Sequence, residues 1–122
     1  MTAGRFDRRQ RLLKPTEFKR VFARPRRWSH PLLTVLWRPN GLDRPRLGLA
    51  VSKRQLRTAV ARNRFKRQVR ESFRQHSRTL GCNDIVVMAR AAALTAPNSE
   101  LAEALAAAWA HMSHTCERSS SG

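Results

Sequence analysis

Between positions 62 and 78 the chain reads RNRFKRQVRESFRQHSR, in which Arg62, Lys66, Arg70, Arg74 and Arg78 recur every fourth residue. At ~100° per residue these side chains line up as one unbroken row on an α-helix. Asn63 and Arg67 lie close to the row and Arg64 borders it on the far side, while Phe65, Val69 and Phe73 fall on the opposite side with the polar Ser72 and His76. Such a row opposes helix formation, because its four adjacent like-charge pairs each cost ~0.2–0.5 kcal/mol. Only Glu71 supplies a counter-charge. A merely solvated face mixes signs, so the chemistry this pattern suits is recognition of phosphate, for which planar guanidinium forks are well shaped.

Other chemistries find little support. The eight carboxylates, Asp7, Glu17, Asp43, Glu71, Asp84, Glu100, Glu103 and Glu117, are scattered, whereas a two-metal nuclease needs clustered oxygen ligands around ions ~4 Å apart. Glu100 and Glu103 are close neighbours but read as a solvated helix face. No glycine-rich phosphate loop, nucleophile elbow or HExxH is present. Cys82, Cys116, His111 and His114 lack the paired spacing of structural zinc ligands. His30 and His76 read as packing or surface residues, and Trp28 and Trp37 as packing. The expectation is a binder without a catalytic or metal site of its own.

The charge is large and uneven. In 122 residues, 25 Lys and Arg face 8 Asp and Glu, a formal net charge of +17. Residues 1–30 hold 10 basic and 2 acidic side chains, residues 52–78 hold 10 and 1, and residues 79–122 hold 2 and 4. Self-repulsion of this size calls for a polyanionic partner. The 21 arginines against 4 lysines suit phosphate and base contacts, although a GC-rich genome yields the same bias. No apolar run reaches the ~18 residues of a membrane span, and no secretory signal is visible at the N-terminus. These features, with two cysteines, lead to the expectation of a cytoplasmic protein with reduced thiols and no membrane partner.

Local signals place the elements. Pro15 and Thr16 start a short helix over Glu17–Phe22, in which Phe18 and Phe22 repeat at i,i+4. From spacing alone, these two phenylalanines fit a core pair as well as an exposed pair. PLLTVLW at 31–37 is a strand, followed by a Pro39-Asn40-Gly41 turn. RLGLAVS at 46–52 is a second strand. Thr58 caps a helix over Ala59–Arg78, which Gly81 stops. DIVVMAR at 84–90 is a strand, and Leu101, Leu105, Trp109 and Met112 stripe a C-terminal helix. The order predicts an α/β sandwich of the α+β kind. Residues 1–10 read as a flexible basic segment, 11–114 as a single domain and 115–122 as a disordered tail.

RNRFKR with Arg70 resembles the signature helix, RNR-x-KR-x-x-R, of the bacterial ribonuclease P protein family. Arg11-Leu12 with Glu17-Phe18-Lys19-Arg20-Val21-Phe22 resembles that family's first helix. Leu47–Lys53 (LGLAVSK) resembles the strand before the signature, and Asp84-Ile85-Val86-Val87 with Ala89-Arg90 its last strand. The resemblance implies an α-β-β-β-α-β-α fold like domain 2 of ribosomal protein S5, with a left-handed βαβ crossover and a first strand near Arg26–Ser29. It further implies an RNA-binding subunit, one per catalytic RNA of ribonuclease P, that assists endonucleolytic removal of the 5′ leader from precursor tRNA, with Mg²⁺ held mainly by RNA subunit and substrate. Catalysis would then belong to the RNA. By position, Lys53, Arg62, Arg64, Lys66, Arg67 and Arg70 would contact the catalytic RNA's phosphates, and Asn63 would support an ion or a leader phosphate. Phe18, Phe22 and Val35 would line a cleft for the single-stranded leader. A rival reading is a structural RNA binder of ribosomal type with no processing role.

Overall fold

In a computed structural model, residue 11 and residues 14–121 are described, with side chains through residue 113. The elements are α1 (Pro15–Ala23), β1 (Arg26–Ser29), β2 (Leu33–Pro39), β3 (Arg46–Ala50), α2 (Ala59–His76), β4 (Asn83–Ala89) and α3 (Asn98–Ser121), with short 3₁₀ turns at Ser77–Thr79 and Ala91–Leu94. This is the expected α-β-β-β-α-β-α order, including a strand at Arg26–Ser29. Residues 1–10, read as flexible from the sequence, lie outside the described residues. Helix α3 runs through Ser121, into the stretch whose composition reads as a tail.

The sheet order is β1-β2-β4-β3. β1 and β4 each pair antiparallel with β2, and β3 runs parallel to β4, so α2 is the crossover between two adjacent parallel strands. Both sheet faces are covered. α2 and α3 bury one face with Leu33, Val35, Trp37, Leu47, Ile85 and Val87, and α1 sits on the other through Val21, Leu36 and Val86. Double coverage explains why β2 and β4 read as continuous apolar runs rather than alternating ones. The stripe Leu101, Leu105, Trp109 and Met112 is fully buried, as its helical spacing predicts. Trp109 donates its indole N–H to Ser72 Oγ at 2.7 Å, which joins α3 to α2.

One polar cluster locks α1 to the sheet. Arg46 on β3 forms a two-pronged pair with Asp84 on β4, Nε to Oδ1 and Nη2 to Oδ2, each at 2.8 Å. Its Nη1 reaches Glu17 Oε2 on α1 at 2.7 Å, and the other Glu17 oxygen accepts the Lys14 backbone N–H at 2.9 Å, closing the helix start. Asn40 completes the cluster: Nδ2 donates to Asp84 Oδ1 and to Arg44 O at 3.0 Å, and Oδ1 accepts the Leu42 N–H. Gly41 follows Asn40 with φ of 71°, a left-handed turn position that glycine adopts without steric cost. Asp84 is only 2% exposed. Its hydrogen bonds, ahead of the opposing effect of burial, raise the Arg46 guanidinium pKa above its usual value, so the fork stays charged across the accessible pH range.

Removing one partner of a buried pair leaves the other charge uncompensated, at a cost of about 3–5 kcal/mol. Arg46→Ala is therefore expected to lower the unfolding free energy by about 3 kcal/mol or more in urea titrations at neutral pH. A loss within the ~0.5 kcal/mol typical of surface changes would show that the cluster is dispensable.

Candidate nucleic-acid interface

Helix α2 begins where Thr58 Oγ1 accepts the Ala61 N–H at 3.1 Å, as the capping signal predicts. Ala61, Phe65, Val69 and Phe73 form its buried stripe. The opposite crown therefore carries Asn63, Arg67 and Arg70, all exposed, with Lys66 and Arg74 half-buried on its margins. Arg67 and Arg70 form no hydrogen bond or ion pair among the described residues. Arg74 pairs with Glu71, an exposed contact of little energetic weight. Lys53 is exposed in the turn after β3, where Ser52 accepts the Gln55 N–H on its hydroxyl at 3.2 Å and the Leu56 N–H on its carbonyl at 3.0 Å. Arg78 lies just past the helix in the 3₁₀ turn, also exposed.

The first and third residues of RNR do not stand on the crown. When Asn63 faces outward, its two neighbours leave the helix about 100° to either side. Arg62 reaches back to the Leu56 and Arg57 carbonyls, at 2.9 and 3.3 Å. Arg64 reaches forward to the Ala93 and Ala96 carbonyls, at 2.8 and 3.1 Å, and to Asn98 Oδ1 at 3.1 Å. Neither engagement was legible from the helical row.

On the other face of the sheet, Phe18 is half-buried against Val21, Leu36 and Val86, beside Ala50 and Met88. Phe22, one turn further, is 44% exposed. Val35 does not join them. It is 0% exposed and packs in the α2/α3 core. The expectation for Val35 is corrected by strand parity: Val35 pairs with Trp28 and Val87, while Thr34 and Leu36 take the α1 side, and a shift of one residue exchanges faces. The sheet face beside the phenylalanines instead carries the buried Thr34 and Leu36 and the half-buried Met88 and Ala50. Arg27 and Ser29 of β1, paired with Leu36 and Thr34, extend it to the sheet edge. Sequence reading missed these residues because their common face depends on the register between strands.

The carboxylates with described side chains are mostly committed elsewhere. Glu17 and Asp84 share Arg46, Asp43 pairs with Arg44, and Glu71 with Arg74. Among the described residues no three His, Cys, Asp or Glu side chains come together. The molecule thus presents a cationic crown on one layer and an aromatic surface with a cationic edge on the other.

A family model described as Ribonuclease P matches residues 6–113. A Methylococcus capsulatus protein named ribonuclease P protein component is 50% identical over 116 residues, covering 95% of this chain and 91% of the relative. A Photobacterium profundum protein of the same name is 49% identical over 108 residues, covering 88% and 92%. Among solved structures, the Staphylococcus aureus RNase P protein superposes with a TM-score of 0.74 at 31% identity over 79% of this chain and 88% of that one. The Thermotoga maritima RNase P protein gives 0.68 at 31% identity over 76% and 88%.

Since the Arg67 and Arg70 guanidinium groups are unengaged, Arg67→Ala and Arg70→Ala are expected to change folding stability by no more than ~0.5 kcal/mol. Each is expected to make the salt dependence of RNA binding shallower by ~0.7–0.9 in log–log slope, one phosphate contact's worth. Filter-binding titrations across a salt series read this directly, and an unaltered slope excludes phosphate contact by that side chain.

Proposed function

Because the chain belongs to the ribonuclease P protein family, we infer that it is the RNA-binding subunit of a ribonucleoprotein endonuclease that removes the 5′ leader from precursor tRNA. The observation that carries this reading is the pairing, on opposite faces of one sheet, of an unengaged cationic crown with a partly exposed phenylalanine pair. Asn63, Lys66, Arg67 and Arg70, with Lys53 on the neighbouring turn, meet the phosphates of the catalytic RNA. The leader lies on the α1 side, where Phe22 offers a stacking surface and Phe18, held by the core, backs it. Stacking on an aromatic side chain contributes ~1–3 kcal/mol per base and accepts any sequence, as a leader of variable sequence requires.

The reaction's Mg²⁺ is assigned to the RNA subunit and the substrate, where it supplies activated water. The described residues offer no group of three acidic, His or Cys side chains to hold an ion, and the acidic pair Glu17 and Asp84 is occupied by Arg46. The chain's part is to bind, to neutralise phosphate repulsion and to hold the leader in place. We assign it a 1:1 stoichiometry with the RNA and a cytoplasmic location.

Reconstitution tests the reading. Added to a bacterial ribonuclease P RNA at low Mg²⁺, the protein is expected to accelerate leader removal, and an unchanged rate would sink the assignment. Phe22→Ala is expected to weaken binding of leader-bearing precursor by roughly 5–150-fold, the equivalent of ~1–3 kcal/mol, and to spare mature tRNA. Equal losses on both substrates would instead point to damage to the fold.

A further inference from the structure

Arg64 stands inside the most cationic run of the chain, yet its guanidinium is turned to the flank of α2. Nη2 donates to Ala93 O at 2.8 Å, and Nη1 donates to Ala96 O and Asn98 Oδ1 at 3.1 Å. One helical turn later, Gln68 Nε2 donates to Asn98 O at 3.2 Å. These acceptors lie in the Ala91–Leu94 turn, the link after it and the first residue of α3. Carbonyls at the end of a helical turn lack internal donors, and a planar fork serves several of them at once in a way a lysine ammonium does not reproduce. Turning Arg64 toward a phosphate would strip all three acceptors of these bonds.

The buried stripe of α2 fixes its height above the sheet but by itself resists rolling poorly, because an apolar seam is not directional, and the Trp109–Ser72 bond pins that side at one point. Directional bonds on the two flanks supply what the seam lacks. Arg62 ties one side to the Leu56 and Arg57 carbonyls, and Arg64 with Gln68 ties the other to residues 93–98. The crown of Asn63, Arg67 and Arg70 then points in a single direction.

We infer that Arg64 is a positioning residue: it clasps the Ala91–Asn98 segment to α2 and so sets the orientation of the cationic crown, without itself contacting RNA phosphate. This rests on the reading that the crown docks on the catalytic RNA.

The test compares Arg64→Ala, Arg64→Lys and Asn98→Ala with Arg67→Ala in two measurements. One is hydrogen exchange of the free protein, and the other is binding to a bacterial ribonuclease P RNA across a salt series. For Arg64→Ala, the Ala93 and Leu101 amides should exchange faster, and Kd should rise by roughly 2–30-fold with the log–log salt slope unchanged. Arg64→Lys keeps the charge and should not restore affinity. Asn98→Ala removes one acceptor without altering charge, so it should move exchange and affinity in the same direction by a smaller factor, and it carries the test if Arg64→Ala fails to fold. A slope reduced by ~0.7–0.9, as expected for Arg67→Ala, would make Arg64 a phosphate contact and overturn the inference. Unchanged affinity with faster exchange would also overturn it, by reducing the clasp to local packing. Wild-type protein that fails to bind the RNA would defeat the proposed function, whereas the exchange result would still decide whether the clasp exists.

Discussion

The guanidinium of Arg46 is the point on which the arrangement turns. It gathers two carboxylates from different elements, Asp84 beneath the sheet surface and Glu17 on α1. A short helix of nine residues is marginal in water by itself, and its apolar contact is limited to a few side chains. The three-way ion cluster adds direction to that contact. Phe18 therefore stands at a defined height and angle over Leu36, Met88 and Ala50, with Phe22 one turn further along the helix. Without the cluster, α1 would keep its apolar patch and the Arg20 and Arg38 links to the end of β2 but lose its tie to β3 and β4.

The same residue type works in two senses throughout the chain. Arg20 and Arg38 cross-link α1 to the end of β2 through the Pro39 and Arg20 carbonyls, and Arg62 and Arg64 grip the carbonyls around α2. Among the described residues, Arg67 and Arg70 reach out unpaired. A protein carrying +17 cannot neutralise itself with 8 acids, and Arg20, Arg38, Arg62 and Arg64 are instead set against backbone oxygen. Carbonyl dipoles stabilise a guanidinium without cancelling its charge. The long-range field that attracts a polyanion thus survives, while the local geometry is rigid.

How much of this could be read in advance depended on the type of signal. The stripes of α2 and α3 were legible because Phe65, Val69 and Phe73, and Leu101, Leu105 and Trp109, repeat at helical spacing, and Thr58 marks the start of α2. β1 was invisible to local pattern, since RRWS has one apolar residue, and only the family resemblance implied it. Apart from the start of β3 at Arg46, the ends of the other strands shifted by one or two residues because pairing partners, not local composition, decide where a ladder stops. Val35 was misassigned for a related reason: an apolar run buried on both faces carries no alternation from which to read parity. The helical row set the cations of α2 apart from its buried stripe, but angular position alone could not tell Arg62 and Arg64, whose long stems curl onto neighbouring segments, from Arg67, whose stem does not, nor that Arg78 falls past the helix end.

The sheet also separates the cationic crown from the phenylalanine side. α1 and α2 lie on opposite faces, so their axes are held apart by two helix-to-sheet spacings, on the order of 20 Å in all. That distance is built from close-packed side chains and is nearly incompressible. The protein is in this sense a gauge block: whatever polymer rests on one side is kept at a set remove from whatever rests on the other, by thickness alone and with no moving part.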